Sequence, residues 1–85
     1  MATRNQNERE FKHWQDLPDG GRRYWRDRPG RVHGLQRFVK VVDSHENTLL
    51  VVQEIYNESG ELVEQHQKYP TDTGHQVVKR DEDRS

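Results

Sequence analysis

Two stretches of this 85-residue chain concentrate side chains that could do chemistry. Between positions 22 and 37 stand Arg22, Arg23, Arg26, Arg28, Arg31 and Arg37, interleaved with Tyr24 and Trp25 and opposed only by Asp27. A guanidinium meets phosphate through paired donors and an aromatic ring stacks on an unpaired base, so the mixture suits RNA or single-stranded DNA. Arg23, Arg26, Arg28, Tyr24 and Trp25 are the candidate nucleic-acid-binding residues. The competing reading is structural. The arginines would pair across strands with Glu54, Glu58, Glu61 and Glu64, or be solvated, in a chain whose net charge is only −1.

The second stretch is "EQHQKYPTDTGH", positions 64 to 75. His66, Lys68 and Tyr69 precede the turn at Pro70, and Asp72 and His75 follow it, so the turn could fold His75 back toward His66. Two imidazoles with a tyrosine hydroxyl and a cation suffice for metal-independent RNA cleavage, in which a base takes the 2′ proton and an acid serves the leaving oxygen. His66, His75, Tyr69 and Arg37 are the catalytic candidates on this reading. His66, Asp72 and His75 lack the close spacings of familiar metal sites, and the chain has no cysteine, so no metal is expected. The sequence has no Gly-rich phosphate loop, no nucleophile elbow and no paired-carboxylate motif, and no cofactor is expected.

The elements that must position these groups come from a chain of unusual balance, 28% hydrophobic and 34% charged. Such a composition leans toward disorder. Against it, Leu49, Leu50, Val51, Val52, Ile55 and Tyr56 fall within one short window, while the ends are polar. The expectation is a single small domain with polar tails at about 1–6 and 80–85. Charge is uneven along it: nine basic against five acidic residues through Arg37, then five against ten from Phe38 onward. The start "MATRNQNERE" lacks an apolar run and no segment has the length of a membrane span, so a cytoplasmic protein without a membrane partner is expected.

Asn5 and Glu8 have the spacing of a capping box, and Phe11 and Trp14 stand at i and i+3, which predicts a helix over residues 5–16. "PDGG" ends it. "RRYWRDR" reads as a first strand, residues 32–42 as a second with Gly34 at a bulge or bend, "TLLVVQEIY" as a third and "ELVEQHQKY" as a fourth. "NESG" joins the last two, and "HQVVK" reads as a short fifth. Side chains alternate faces along a strand, so consecutive Leu49, Leu50, Val51 and Val52 are apolar on both faces and mark a central strand. The next strand places Val63, Gln65, Gln67 and Tyr69 on one face and Leu62, Glu64, His66 and Lys68 on the other. So polar an arm belongs near an edge. The fold class is α+β: a small antiparallel meander of four to five strands with one N-terminal helix. The helix covers one face only, so a homodimer is expected to cover the other.

The order "RYWRDRPGR", "LQRFVKVV", "EIYN", "EQHQKYPTDTGHQ" resembles short uncharacterised proteins of bacteria. It is also similar in layout, over about residues 22–76, to TumE-type toxins of toxin–antitoxin pairs. The toxin pattern ends in closely spaced histidines, whereas His66 and His75 are further apart. The residues themselves point to a small binding module with an RNA or protein partner. The resemblance implies, as the alternative, a ribonuclease-type toxin.

Overall fold

The computed structural model describes residues 3–30 and 34–77. Arg31, the start of the strand expected from residue 32, the end of "HQVVK" and the expected tail at 80–85 lie outside these residues. Helix α1 spans Arg4–Glu10, and the strands are β1 His13–Asp16, β2 Arg22–Pro29, β3 Leu35–Val42, β4 Thr48–Tyr56, β5 Leu62–Tyr69 and β6 Gly74–Val77. All six form one antiparallel sheet in chain order, a meander in which each strand pairs with the next. The helix-plus-antiparallel-sheet class is as expected; among the described residues the strand count is six rather than four or five.

The added strand comes from the segment read as helix. The helix is capped by Thr3, whose hydroxyl accepts from the Gln6 N–H while the Gln6 side chain accepts from the Thr3 N–H, so the capping box is Thr3/Gln6 and not Asn5/Glu8. It stops at Glu10 because Phe11 turns to extended backbone, φ −111° and ψ 125°, and buries its ring against Tyr24. From His13 the period becomes two. Trp14 packs its edge on Tyr24 on one face, while His13 stacks on Trp25 on the other. "LPDGG" is then the loop of the β1–β2 hairpin, closed by the Leu17 N–H donating to the Gly21 carbonyl at 2.9 Å.

Gly34 stands at the mouth of the β2–β3 hairpin with φ +79°, and an added Cβ would lie 2.1 Å from the Tyr56 carbonyl oxygen. Both conditions require glycine. The expected bend at this position is therefore present, immediately before β3 begins.

Among the described residues, Phe11, Tyr24, Val39 and Val42 are the buried apolar ones. Phe11, Tyr24 and Val42 form the core under α1, with Phe38 against it. A polar hub closes that core. Glu46, buried at φ +64°, accepts from Asn7 Nδ2 at 2.8 Å and Tyr24 Oη at 2.9 Å, and Asn7 Oδ1 accepts from Lys40 Nζ at 2.8 Å. Asn7 and Glu46 thereby satisfy each other's buried groups and pin the helix to the sheet. No helix among the described residues is long and apolar enough to cross a membrane.

Candidate functional site

Residues paired across antiparallel strands point to the same face. This rule divides the arginine run. Arg22, Tyr24, Arg26 and Arg28 lie on the face that carries α1, whereas Arg23, Trp25, Asp27 and Arg37 lie on the other, open face. The single stretch read from the sequence is thus two surfaces. Tyr24 is fully buried beneath the helix with its hydroxyl on Glu46, so it offers no ring to a ligand. Its pKa is raised, first by burial and then by the Glu46 carboxylate.

Arg22 is structural. Buried itself, it donates to Glu8 at 2.7 Å and Asp16 at 2.8 Å, tying α1 and β1 to β2, and these bonds outweigh the effect of burial to hold its pKa up. Arg37 is likewise engaged, with both Nε and Nη2 on Asp27 at 2.7 and 3.0 Å, and this pairing is the main cause of its raised pKa. Of the expected partners, Glu54 stands opposite Arg37 and adds to its raised pKa while accepting from Tyr56 Oη at 2.9 Å, and Glu64 pairs with His75.

On the helix face a different group assembles around Phe38. The Arg26 and Arg28 guanidiniums lie 5.2 and 5.1 Å from the centre of its ring, and Lys68 Nζ lies 5.6 Å from it. Arg26 also touches the Phe11 ring, at 5.7 Å. Among the described residues none of these three cations forms an ion pair; Arg28 makes only two long contacts, 3.4 Å each, to Gln36 Oε1. A recess of about 220 Å³ opens between Arg26, Arg28 and Phe38, with Asp27 at its margin. Phe38 was not among the sequence candidates, and Lys68 was named only within the histidine stretch, not with the nucleic-acid-binding residues.

Lys68 arrives there through a bulge. The register passes from Val51↔Tyr69 to Val52↔Gln67, so Lys68 is the extra residue of β5. Lys68 and Tyr69 both reach the helix face as a result, which corrects the expected placement of Tyr69 with Gln65 and Gln67. Tyr69 lines a separate groove of about 520 Å³ with Phe11, Lys40 and Val51.

The row through Phe38 crosses five strands: Arg26↔Phe38↔Gln53↔His66↔His75. The Pro70 turn does bring His75 opposite His66, with ring centres 4.6 Å apart. Each imidazole has its own carboxylate. His66 Nε2 bonds Asp72 Oδ1, which also accepts from the Gly74 N–H at 2.9 Å, and His75 Nδ1 lies 2.8 Å from Glu64 Oε1. The Gly74 bond and then His66 hold the Asp72 carboxyl below its ordinary range. His66 Nδ1 is buried without a hydrogen-bond partner. Of the catalytic candidates, then, His66 and His75 meet, Tyr69 lies elsewhere on the same face, and Arg37 is on the opposite face. Among the described residues no group of three or more His, Asp or Glu is arranged to hold a metal ion.

No protein-family model, curated protein or solved structure matches this chain.

Proposed function

We propose that the chain is a small binding module whose helix face takes single-stranded nucleic acid, with RNA the substrate to test. The observation that carries this reading is the convergence of Arg26, Arg28 and Lys68 on the Phe38 ring, none of them ion-paired among the described residues. Three like charges gathered on one partly exposed ring repel one another, and the ring's quadrupole offsets this only in part. A polyanion removes the repulsion. Phosphates suit the guanidinium forks, and the edge or face of Phe38 in the recess suits a base. From there the cross-strand row offers the Gln53 amide and two imidazoles along a path transverse to the strands. The molecule's net charge of −1 does not describe this face alone, because Glu8 and Asp16 are paired with Arg22 and Asp27 with Arg37.

The test is fluorescence anisotropy of a labelled mixed-sequence RNA at two salt concentrations. Affinity should fall with salt, and Arg26→Ala with Arg28→Ala should flatten the log–log slope by about 1.4, at ~0.7 per phosphate on a single strand. No binding at low salt, or binding indifferent to both substitutions, overturns the proposal.

A second reading, cleavage of the bound RNA, is favoured by one observation: Glu64 holds His75 Nδ1, which leaves Nε2 as the nitrogen able to accept a proton. In that step the 2′ oxygen loses its proton to His75 Nε2 and bonds to phosphorus. The bond from phosphorus to the 5′ oxygen breaks, and that oxygen takes a proton from water. His66 serves here as a positioning residue, since its Nε2 is on Asp72 and its Nδ1 is buried.

A further inference from the structure

We infer that the open face of the sheet is the contact surface for a second copy of this chain, joined face to face about a two-fold axis. The helix packs on the other face, and no described element lies over Trp25, Val39, Val41, Leu50 and Val52. Among the described residues, three of the four buried apolar ones belong to the core under α1, and the fourth, Val39, lies on the open face. Most of the apolar side chains of β3 and β4 are only half-buried in a chain this small.

The surface has the make-up of an interface centre. Trp25 is flanked by Arg23 at 5.0 Å and Arg37 at 5.8 Å, His13 stacks on it at 5.7 Å, and Arg37 continues to Tyr56 at 5.6 Å. Tryptophan, tyrosine and arginine around aliphatic side chains are the residues that carry most binding energy between proteins.

Charge chooses a second copy as the occupant. The central row of the face is Trp25–Val39–Val52; on one side of it runs Arg23–Val41–Leu50, on the other Asp27–Arg37–Glu54. A two-fold axis along the central row lays that row on itself and sets each flanking row against the other. Arg23, which has no ion pair among the described residues, then stands over Asp27 of the second copy, and symmetry repeats the contact. The opposite choice, a like-charged facing, does not occur on β2. Sheets packed in this way bury both inner faces as one core about 10 Å thick. The Arg26–Phe38–Arg28 recess of each copy remains outward.

The experiment is sedimentation velocity with static light scattering on the full chain, from low to tens of micromolar, with far-UV circular dichroism as the check on folding. The expected mass is twice 10.2 kDa at the upper end. Arg23→Glu should weaken association by about tenfold or more, since it sets a carboxylate over Asp27 of the second copy. In the Trp14→Phe background, Trp25 fluorescence should be shielded from acrylamide in the dimer and become quenchable on dilution. A folded parent that stays at 10.2 kDa throughout overturns the inference whatever the variants do. A dimer in which Trp25 remains quenchable overturns it equally, by placing the contact elsewhere.

Discussion

Tyr24 Oη donates to Glu46 Oε2 at 2.9 Å across the core, and the same carboxylate oxygen accepts from Asn7 Nδ2 at 2.8 Å, so one buried side chain joins α1, β2 and the β3–β4 turn. Burial pushes the Glu46 carboxyl up, but the bonds from Asn7, Tyr24 and Arg4 outweigh it and hold its pKa below the ordinary value of 4.5. A carboxyl depressed in the folded state adds stability that is fully present above its unfolded pKa and lost as pH falls through the folded value. Glu46→Gln should therefore cost about 1–3 kcal/mol at neutral pH, the range for a buried group left without its partner. In denaturant titrations the gap between parent and variant should narrow once the pH drops below about 4.5. A gap that is constant from neutral to acid pH would show that the charge of Glu46 contributes nothing.

Two glycines with almost the same backbone angle separate strain from crowding. Gly34 has φ +79° and Gly60 φ +82°, but a Cβ on Gly60 meets nothing within 4 Å whereas one on Gly34 meets the Tyr56 carbonyl oxygen at 2.1 Å. Gly60→Ala should cost about 1–2 kcal/mol, the left-handed penalty alone. Gly34→Ala must also displace β4 from β3 and should cost clearly more, by thermal melting of the two variants side by side. Equal losses would mean that the hairpin can shift to admit a methyl group.

How far these features could be read in advance depends on whether neighbours in sequence or neighbours across the sheet decide them. Strand β4 is legible from Thr48 to Tyr56 because its own side chains are apolar on both faces, which only a central strand tolerates. Strand β1 is not, because Phe11 and Trp14 at i and i+3 fit a helix equally well; their joint packing on Tyr24, from another strand, decides the matter. The division of the arginines between faces follows from strict alternation along Arg22–Pro29 and was open to reading. Phe38 as the ring beneath Arg26 was not, since that pairing rests on the register of the β2–β3 hairpin. Nor was Lys68, which a bulge in β5 delivers. The meeting of His66 and His75 lies between these cases: the turn at Pro70 announced the fold-back, and the register made it a direct pair.

Phe38 and its cations should separate in binding measurements. Phe38→Ala removes the stacking surface and leaves the charges, so RNA affinity should fall by about 1–3 kcal/mol while the salt slope stays as in the parent. Lys68→Ala should do the reverse, lowering affinity modestly and flattening the slope by about 0.7. Phe38 also packs against the core, so each variant is to be compared at a temperature well below its own melting point. If Phe38→Ala flattens the slope, the ring acts only by holding the guanidiniums in place.

The opposite placement of His75 and Arg37 gives the cleavage reading its sharpest check. If His75 is the base and Glu64 orients it, RNA cleavage should persist in EDTA, because the step uses no metal ion. His75→Ala should lower the rate by roughly 10²-fold or more, the usual contribution of a positioned acid-base group. Glu64→Gln should lower it less and move the pH profile, which a merely structural role for Glu64 would not do. Asp72→Asn should act only through His66 and the β5–β6 turn, so adding it to His75→Ala should cost no further activity. Arg37→Ala should leave the rate unchanged, since Arg37 is bound to Asp27 on the other face of the sheet. A parent that leaves labelled RNA intact from pH 5 to 9 removes cleavage and leaves binding standing. Activity that survives His75→Ala assigns the nuclease to a contaminant or to another site, and activity lost with Arg37→Ala would require a substrate path around the sheet edge.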